Sequence, residues 1–375
     1  MASDDYVAVL DTGSNQIVKA IPVGTSPSSI AVSADGTRVY VTNFLDDSIS
    51  IIDGVADEVI DTIENVRLPF AVALSPSGHR AYVLLHYYPG ELGVFDTSDW
   101  RQVNSIAVGK FPEELTVSAD GTRIYVVNTY DDAEDNPCHI APLLCTLRIS
   151  IVDAIAEVAV RHVRVGALPH GIAVHPSGSP AYTTSSFMGR RSVAVIDADL
   201  MEVTRRIPAG SGALTLDATG ARLFLGADFE ITVIDTAANS VITRVPLEND
   251  PHGDLALTPD GRRLYVAAGS SNQIVVIDTE SLTQVDSVEV PDCFSIAIGP
   301  DLPASPTPTP TRTPCPGDCD GNRRIHAEEL SAAVSEGLRS EVVSCWAADV
   351  DRSGVITVDE LVTAALRRVY GCSRL

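Results

Sequence analysis

The chain has 375 residues, of which 45% are hydrophobic and only 5% aromatic, enough apolar mass for a large core plus a small extra domain. Its 26 Lys and Arg face 50 Asp and Glu, a formal charge of −24, which argues against the positive footprint that binding a nucleic-acid backbone requires. There is no apolar run of about 18 residues, so nothing reads as a membrane-spanning helix.

The first residues, MASDDYVAVLD, lack the basic and apolar regions of a leader peptide. Tyr6 to Leu10 reads as an apolar strand closed by Asp11. The LDTGS of 10–14 looks like half of an aspartic-protease site, but no second Asp-Thr-Gly occurs. The same strand-ending aspartate returns as Asp53, Asp96, Asp153, Asp197, Asp235 and Asp278, spaced 42, 43, 57, 44, 38 and 43 residues apart. Asp11 is therefore read as a turn-capping residue.

An aromatic strand shares this period. VYVTN at 39–43 returns as AYVLL (81–85), IYVVN (124–128), AYTTS (181–185), LFLGA (223–227) and LYVAA (264–268), each preceded by a Gly turn such as ADG or PSG. A period near 40 residues with several short strands per copy means a β-propeller or a solenoid array, and the propeller is favoured. Each repeat reads as four strands: a (IAVS-like), b (YVTN-like), c (ending in the aspartate) and d. Strands a, c and d occur seven times and b six, so the expected fold is an all-β, seven-bladed β-propeller spanning residues 1–300. The chain opens on a strand c and ends its repeats on a strand a, Phe294 to Ile298. The last blade is thus expected to combine both chain ends, its missing strand b lying before Met1 or after Asp301, and the natural start is expected further upstream, with a leader.

Strand a is expected innermost. Its central alternate position reads Ala31, Ala73, Thr116, Ala173, Thr215, Ala256 and Ala297, small residues that suit a crowded axis. These repeats resemble the YVTN family of β-propellers, found in surface-layer proteins and lactonase-like propellers. The resemblance covers about residues 6–300 and implies the fold; it does not specify an activity.

Candidate ligand residues gather at the start of strand a: His170 (LPHGIAV), His252 and Asp254 (DPHGDLAL), and Glu113 and Glu114 in another blade. The b–c loops on the same face carry blade-specific insertions: HYYPG at 86–90, SSFMGRRS at 185–192, and TYDDAEDNPCHIAPLLC at 129–145, which holds His139 and the Cys138/Cys145 pair. Function usually sits on such loops over a rigid scaffold, and imidazoles and carboxylates that converge hold a divalent cation or do acid–base work. The other reading is of isolated side chains facing solvent at a channel mouth.

Residues 301–314, DLPASPTPTPTRTP, are a Pro/Thr linker of extended character. Four of the seven cysteines (Cys315, Cys319, Cys345 and Cys372) fall in the last 61 residues, a density typical of an oxidising compartment. Zinc is the competing reading, but Cys315 and Cys319 have no second close pair. Residues 349–360, DVDRSGVITVDE, match a calcium loop: Asp349, Asp351 and Ser353 at alternate positions, Gly354 at the sharp turn, the Val355 carbonyl, and Glu360 as terminal acid. A second copy at 318–329 offers Asp318, Asp320, Asn322, the Arg324 carbonyl and Glu329. Arg323 replaces the turn glycine there, which predicts the weaker site.

The pair resembles a dockerin-like EF-hand module over 315–375, which implies a small α-helical domain with calcium as cofactor. Dockerins bind cohesins through loop positions 10 and 11, commonly Ser-Thr. Here these are Ala327-Glu328 and Val358-Asp359, so a cohesin partner is not implied; a calcium-stabilised terminal module with no partner is the equal reading. An EF-hand pair brings its termini together, favouring Cys315–Cys372 and leaving Cys319–Cys345; Cys138–Cys145 pair locally and Cys293 stays a free thiol. The expected protein is an extracellular, cell-surface or periplasmic binding scaffold. Its module would bind calcium and could serve a protein or cell-wall partner. A top-face enzyme such as a lactonase-like hydrolase is the alternative.

Overall fold

The computed structural model describes residues 5–130, 147–167, 169–187, 190–291 and 293–300. The chain divides into two units, Met1–Leu302 and Pro303–Leu375, and all described residues belong to the first. A two-stranded ribbon comes first, β1 (Tyr6–Asp11) and β2 (Gln16–Pro22). Blade 1 is β3 (Pro27–Val32), β4 (Arg38–Asn43), β5 (Ser48–Asp53) and β6 (Glu58–Ile63). Blade 2 is β7 (Pro69–Leu74), β8 (Arg80–Leu85), β9 (Glu91–Asp96) and β10 (Gln102–Ala107). Blade 3 is β11 (Lys110–Val117), β12 (Arg123–Tyr130), β13 (Leu147–Asp153) and β14 (Val158–Gly166). Blade 4 is β15 (Ile172–Val174), β16 (Ala181–Phe187), β17 (Arg190–Asp197) and β18 (Glu202–Pro208). Blade 5 is β19 (Leu214–Leu216), β20 (Arg222–Ala227), β21 (Glu230–Asp235) and β22 (Ser240–Pro246). Blade 6 is β23 (Leu255–Leu257), β24 (Arg263–Ala268), β25 (Gln273–Asp278) and β26 (Thr283–Glu289).

Each blade is an antiparallel meander in sequence order a-b-c-d. The first strands of successive blades, from β3 through β7, β11, β15 and β19 to β23, approach one another in turn. They are the innermost strands of a ring, as their small residues predict.

Local chemistry sets the joints. The a–b turns carry Gly36, Gly78, Gly121, Gly178, Gly220 and Gly261, all with φ between 69° and 88°, a region that costs an L residue roughly 1–2 kcal/mol. The c–d turns are organised by the strand-ending aspartates. Asp53 Oδ1 accepts the amides of Val55 and Ala56, and Asp278 Oδ1 those of Glu280 and Ser281. Asp11 does the same for Ser14, whose amide and hydroxyl both donate to Oδ1 at 2.7 Å. The protease-like pentapeptide is thus a c–d turn.

The core lies between blades. One buried cluster joins Tyr82, Leu84 and Leu92 of blade 2 to Ile124, Val126 and Val152 of blade 3, and similar clusters fill the other junctions between successive blades. Strand b drives a wedge into this space. Its aromatic residue (Tyr40, Tyr82, Tyr125, Tyr182, Phe224 or Tyr265) is at most 6% exposed and reaches toward the c–d turn of the following unit. The Tyr40 ring lies 4.8 Å from Trp100, and Tyr265 Oη donates to Asn15 Oδ1 at 2.8 Å. The strand-b arginines of blades 2, 3, 5 and 6 reach the same turns. Arg123 pairs with Asp199 at 3.3 Å, and Arg263 donates to the Thr12 carbonyl at 2.6 Å.

The expectation of seven blades is corrected: the described residues form six four-stranded blades. The seventh sector holds only β1 and β2. Phe294–Ile298 lies beside blade 6, where the Phe294 carbonyl accepts the Asp254 amide at 2.8 Å, but it forms no strand. The reason is physical. A strand a and a strand c are second neighbours in a blade, and without a strand b between them their backbone groups are out of hydrogen-bonding reach. The ring closes through side chains instead: Arg263 and Tyr265 on Thr12 and Asn15, and Asn15 Nδ2 donating to Asp286 at 2.8 Å. β1 and Phe294–Ile298 meet at this junction without sharing a ladder. The expected helical EF-hand pair is likewise not part of this fold. No α-helix occurs among the described residues, and both acidic loops lie outside them, as does His139.

The Gly78 turn gives a clean test of the joints, since a Cβ built there meets nothing within 4 Å. Gly78→Ala should therefore lose only the backbone term, about 1–2 kcal/mol. Leu84→Ala, at a site 0% exposed, should lose about 2–5 kcal/mol. Urea denaturation of both variants checks the two magnitudes.

Candidate functional site: acids and aromatics around the axis

The register of strand a superposes its residues blade on blade. Val41, Val83, Val126, Thr183, Leu225 and Val266 of strand b pair with Ile30, Val72, Leu115, Ile172, Leu214 and Leu255. One position before these, at a single axial level, stand Ser29, Ala71, Glu114, Gly171, Ala213 and Asp254, with Ser295 in the seventh sector. One position further out stand Ser28, Phe70, Glu113, His170, Gly212, Gly253 and Phe294. The sequence candidates thus fall on two adjacent levels, with His252 just beyond. Glu114 and Asp254 share the inner level; Glu113 and His170 share the outer one.

The inner level has a structural task. The innermost strand has one free edge, and where this level carries Ser29, Glu114 or Asp254 the side chain accepts an amide of the following segment. Ile172 N–H donates to Glu114 Oε1 at 3.1 Å, and Val72 N–H to Ser29 Oγ at 3.4 Å. Asp254 similarly accepts from the following segment, with Ser295 Oγ–H at 2.6 Å and the Ile296 amide. A serine suffices for this in blade 1. Carboxylates bring charge that the task does not need.

That charge is poorly solvated. Burial, then the nearby Asp254 carboxylate, pushes Glu114 up to about 8, against an amide bond that lowers it. Burial also raises Asp254, against its bonds to Ser295 and Ile296. Glu114 feels Asp254 across the ring with small residues on the blades between, so the pair favours sharing a proton or a positive charge. Glu113 is raised by burial, opposed by a Thr129 hydrogen bond and by His86. His170 is exposed at the mouth, yet the surrounding blades displace enough water to lower its pKa, and His252 adds to this. His252 Nε2 lies 2.9 Å from Asp250 Oδ2. Among the described residues, no group of three or more His, Cys, Asp or Glu is placed to hold a metal ion.

The sequence reading missed an aromatic cluster beside Glu113. His86 stacks on Phe70 at 4.8 Å and contacts Phe111 at 5.3 Å and Phe44 at 5.9 Å. Burial there lowers the His86 pKa, and the charge of Glu113 opposes this. At the rim, Arg67 lies over Tyr87 and Lys110 over Tyr88, each at 4.6 Å. The signal was present: Phe70 occupies the register position of Glu113 and His170, and His86 opens the HYYPG insertion. It becomes a cluster only when three blades converge.

These features define a β-propeller with an acidic and aromatic channel mouth. No protein-family model matches the chain, and no curated protein matches it. Solved structures do share the fold. Hydrazine synthase of Kuenenia stuttgartiensis is 20% identical with a TM-score of 0.63, over 74% of this chain and 92% of that one. A functionally unknown protein from Desulfotomaculum acetoxidans DSM 771 is 16% identical with a TM-score of 0.66, over 80% and 98%. At such identities the likeness is one of fold.

Glu114 sets a pH dependence. Its folded pKa is raised, so its contribution to stability is fully present below the ordinary value of 4.5 and is lost as pH rises through about 8. Glu114→Gln keeps an acceptor for Ile172 and cannot ionise. The fall in urea midpoint between about pH 5 and 8 should shrink in this variant; an unchanged slope would show that Glu114 does not hold the proton.

Proposed function

We propose that the protein is a binding scaffold whose propeller face captures a positively charged organic group, an amine or guanidinium, at the mouth of the axial channel. The observation that carries this reading is the pair Glu114 and Asp254, two desolvated carboxylates at one axial level, with the Phe70, Phe111 and His86 cluster beside Glu113 one level further out. Carboxylates neutralise a bound cation, and aromatic faces favour it by about 0.5–2 kcal/mol. Calorimetry with arginine amide, spermidine and choline tests it. Binding should strengthen as pH rises through the Glu114 pKa of about 8 and be lost in a Glu114→Gln, Asp254→Asn double variant. Absence of heat from all three probes, or binding indifferent to the double variant, removes the reading.

A second reading rests on the same proton. A carboxyl group that titrates near neutrality suits general acid–base work, which fits a hydrolase of the lactone type. Turnover of simple lactones that is abolished by Glu114→Gln would favour it.

The reading includes calcium at the two acidic loops, Asp318–Glu329 and Asp349–Glu360, in a chain that works outside the cytoplasm beside a protein or cell-wall partner. Its support is the oxygen-ligand spacing and the cysteine density. Calcium at a hundredfold excess over its dissociation constant should stabilise the full chain's calcium-binding part by about 2.7 kcal/mol. Calorimetric melting with calcium and with chelator checks this; the shift should vanish in Asp349→Ala and Glu360→Ala variants.

A further inference from the structure

The junction between blade 6 and blade 1 offers a second interaction surface, between β1 and Phe294–Ile298. In every blade strand c is paired on both sides, whereas β1 pairs only β2. Burial records the difference. Strands β5, β9, β21 and β25 are buried over four or five of their six residues. No residue of β1 is buried. Across from β1, Phe294–Ile298 keeps the register of a strand a, with one side held to Asp254 and its residues partly or fully exposed. Between them lies a cleft of about 810 Å³.

The walls of this cleft repeat what surrounds strand b elsewhere. In blade 1, Arg38 lies opposite Asp53 of strand c, Tyr40 lies between Ile51 and Ala31, and Val41 lies opposite Ile30 of strand a. The same register across the cleft sets Asp11 opposite an arginine, Val9 and Ala297 opposite an aromatic residue, and Ile296 opposite an apolar one. The carboxylates match as well. Asp53 gives Oδ1 to its turn and Oδ2 to Arg38 at 3.0 Å. Asp11 gives Oδ1 to Ser14, and no arginine of the described residues stands opposite it in a ladder. Strand-b wedges elsewhere land on the following unit's c–d turn, and the cleft is lined by that turn of blade 1, at Gly54 and Asp57, beside Ile52 of β5.

We propose that this cleft docks one extended strand of a partner polypeptide, of pattern Arg–apolar–aromatic–apolar, added to the edge of β1 that the described residues leave unpaired. Main-chain hydrogen bonds supply affinity, and the alternate side chains supply specificity. The chain's own strands of this pattern are not free to do this in a second copy. The five described strands of this pattern are each paired on both sides within their blades, and releasing one would open a core cluster.

The test uses the full chain and a fluorescent peptide copying residues 36–45, GTRVYVTNFL, read by anisotropy. Saturable binding in the micromolar range is expected, with peptide-dependent protection from hydrogen exchange at 6–11 and 294–298. Replacing the peptide arginine by glutamate should weaken binding several-fold. Asp11→Asn, which keeps the Ser14 acceptor, should weaken it and erase the difference between the two peptides. No saturation at millimolar peptide, affinity unmoved by either change, or protection at other strands would overturn the proposal. So would protection of 6–11 that is already complete without peptide, because the chain itself would then cover the edge.

Discussion

A four-stranded sheet with two apolar faces cannot cover itself, and the molecule follows from that constraint. Each blade is covered only by its neighbours, so the buried clusters lie between blades rather than within one. The strand-b aromatic is the part that makes the contact directional. It passes out of its own sheet toward the next unit's c–d turn, and in blades 2, 3, 5 and 6 the arginine two residues before it follows the same path. Sequence spacing, blade order and ring closure all depend on this reach. At the last junction it still operates: Tyr265 and Arg263 grip the Thr12–Asn15 turn although only two strands stand behind that turn.

The channel mouth is a by-product of the same geometry. At three junctions the free edge of the innermost strand meets an acceptor side chain of the preceding blade, Ser29, Glu114 or Asp254. Where that acceptor is Ser29 the need is met without charge. Where it is Glu114 or Asp254, an ionisable group is fixed at the axis with little water, and its proton affinity rises. A scaffold requirement thereby becomes an electrostatic feature, with aromatic side chains arriving at the next level out because strand a begins there.

Much of the fold was legible. Glycines at constant offset before the aromatic strand marked turns that need positive φ, and the recurrent aspartates marked the c–d turns. The alternation of apolar residues gave the strands, and their count gave the blades, save one. The seventh failed because counting strands a, c and d treats a blade as a sum of strands. A blade is a ladder, and Phe294–Ile298 and β1 cannot form one across an unfilled strand-b position. The site was legible in part: Glu113, Glu114, His170 and Asp254 fell together at the entry to strand a, but their convergence on two axial levels and the burial that shifts them were not in the pattern. His86 and Phe44 follow strand b, and nothing local joins them to Phe111.

The sequence by itself determined the repeat, the strand order within it, the turn chemistry and the placing of candidate acids at the start of strand a. These are properties of short segments, set by φ, by alternation and by side-chain capping within a few residues. Tertiary structure alone decided the number of complete blades, the two levels on which the acids and histidines stand, the proton that Glu114 retains near neutrality, and the open edge of β1. Each of these depends on what a neighbouring blade supplies or withholds: a strand to pair, a charge to feel, or protein in place of water.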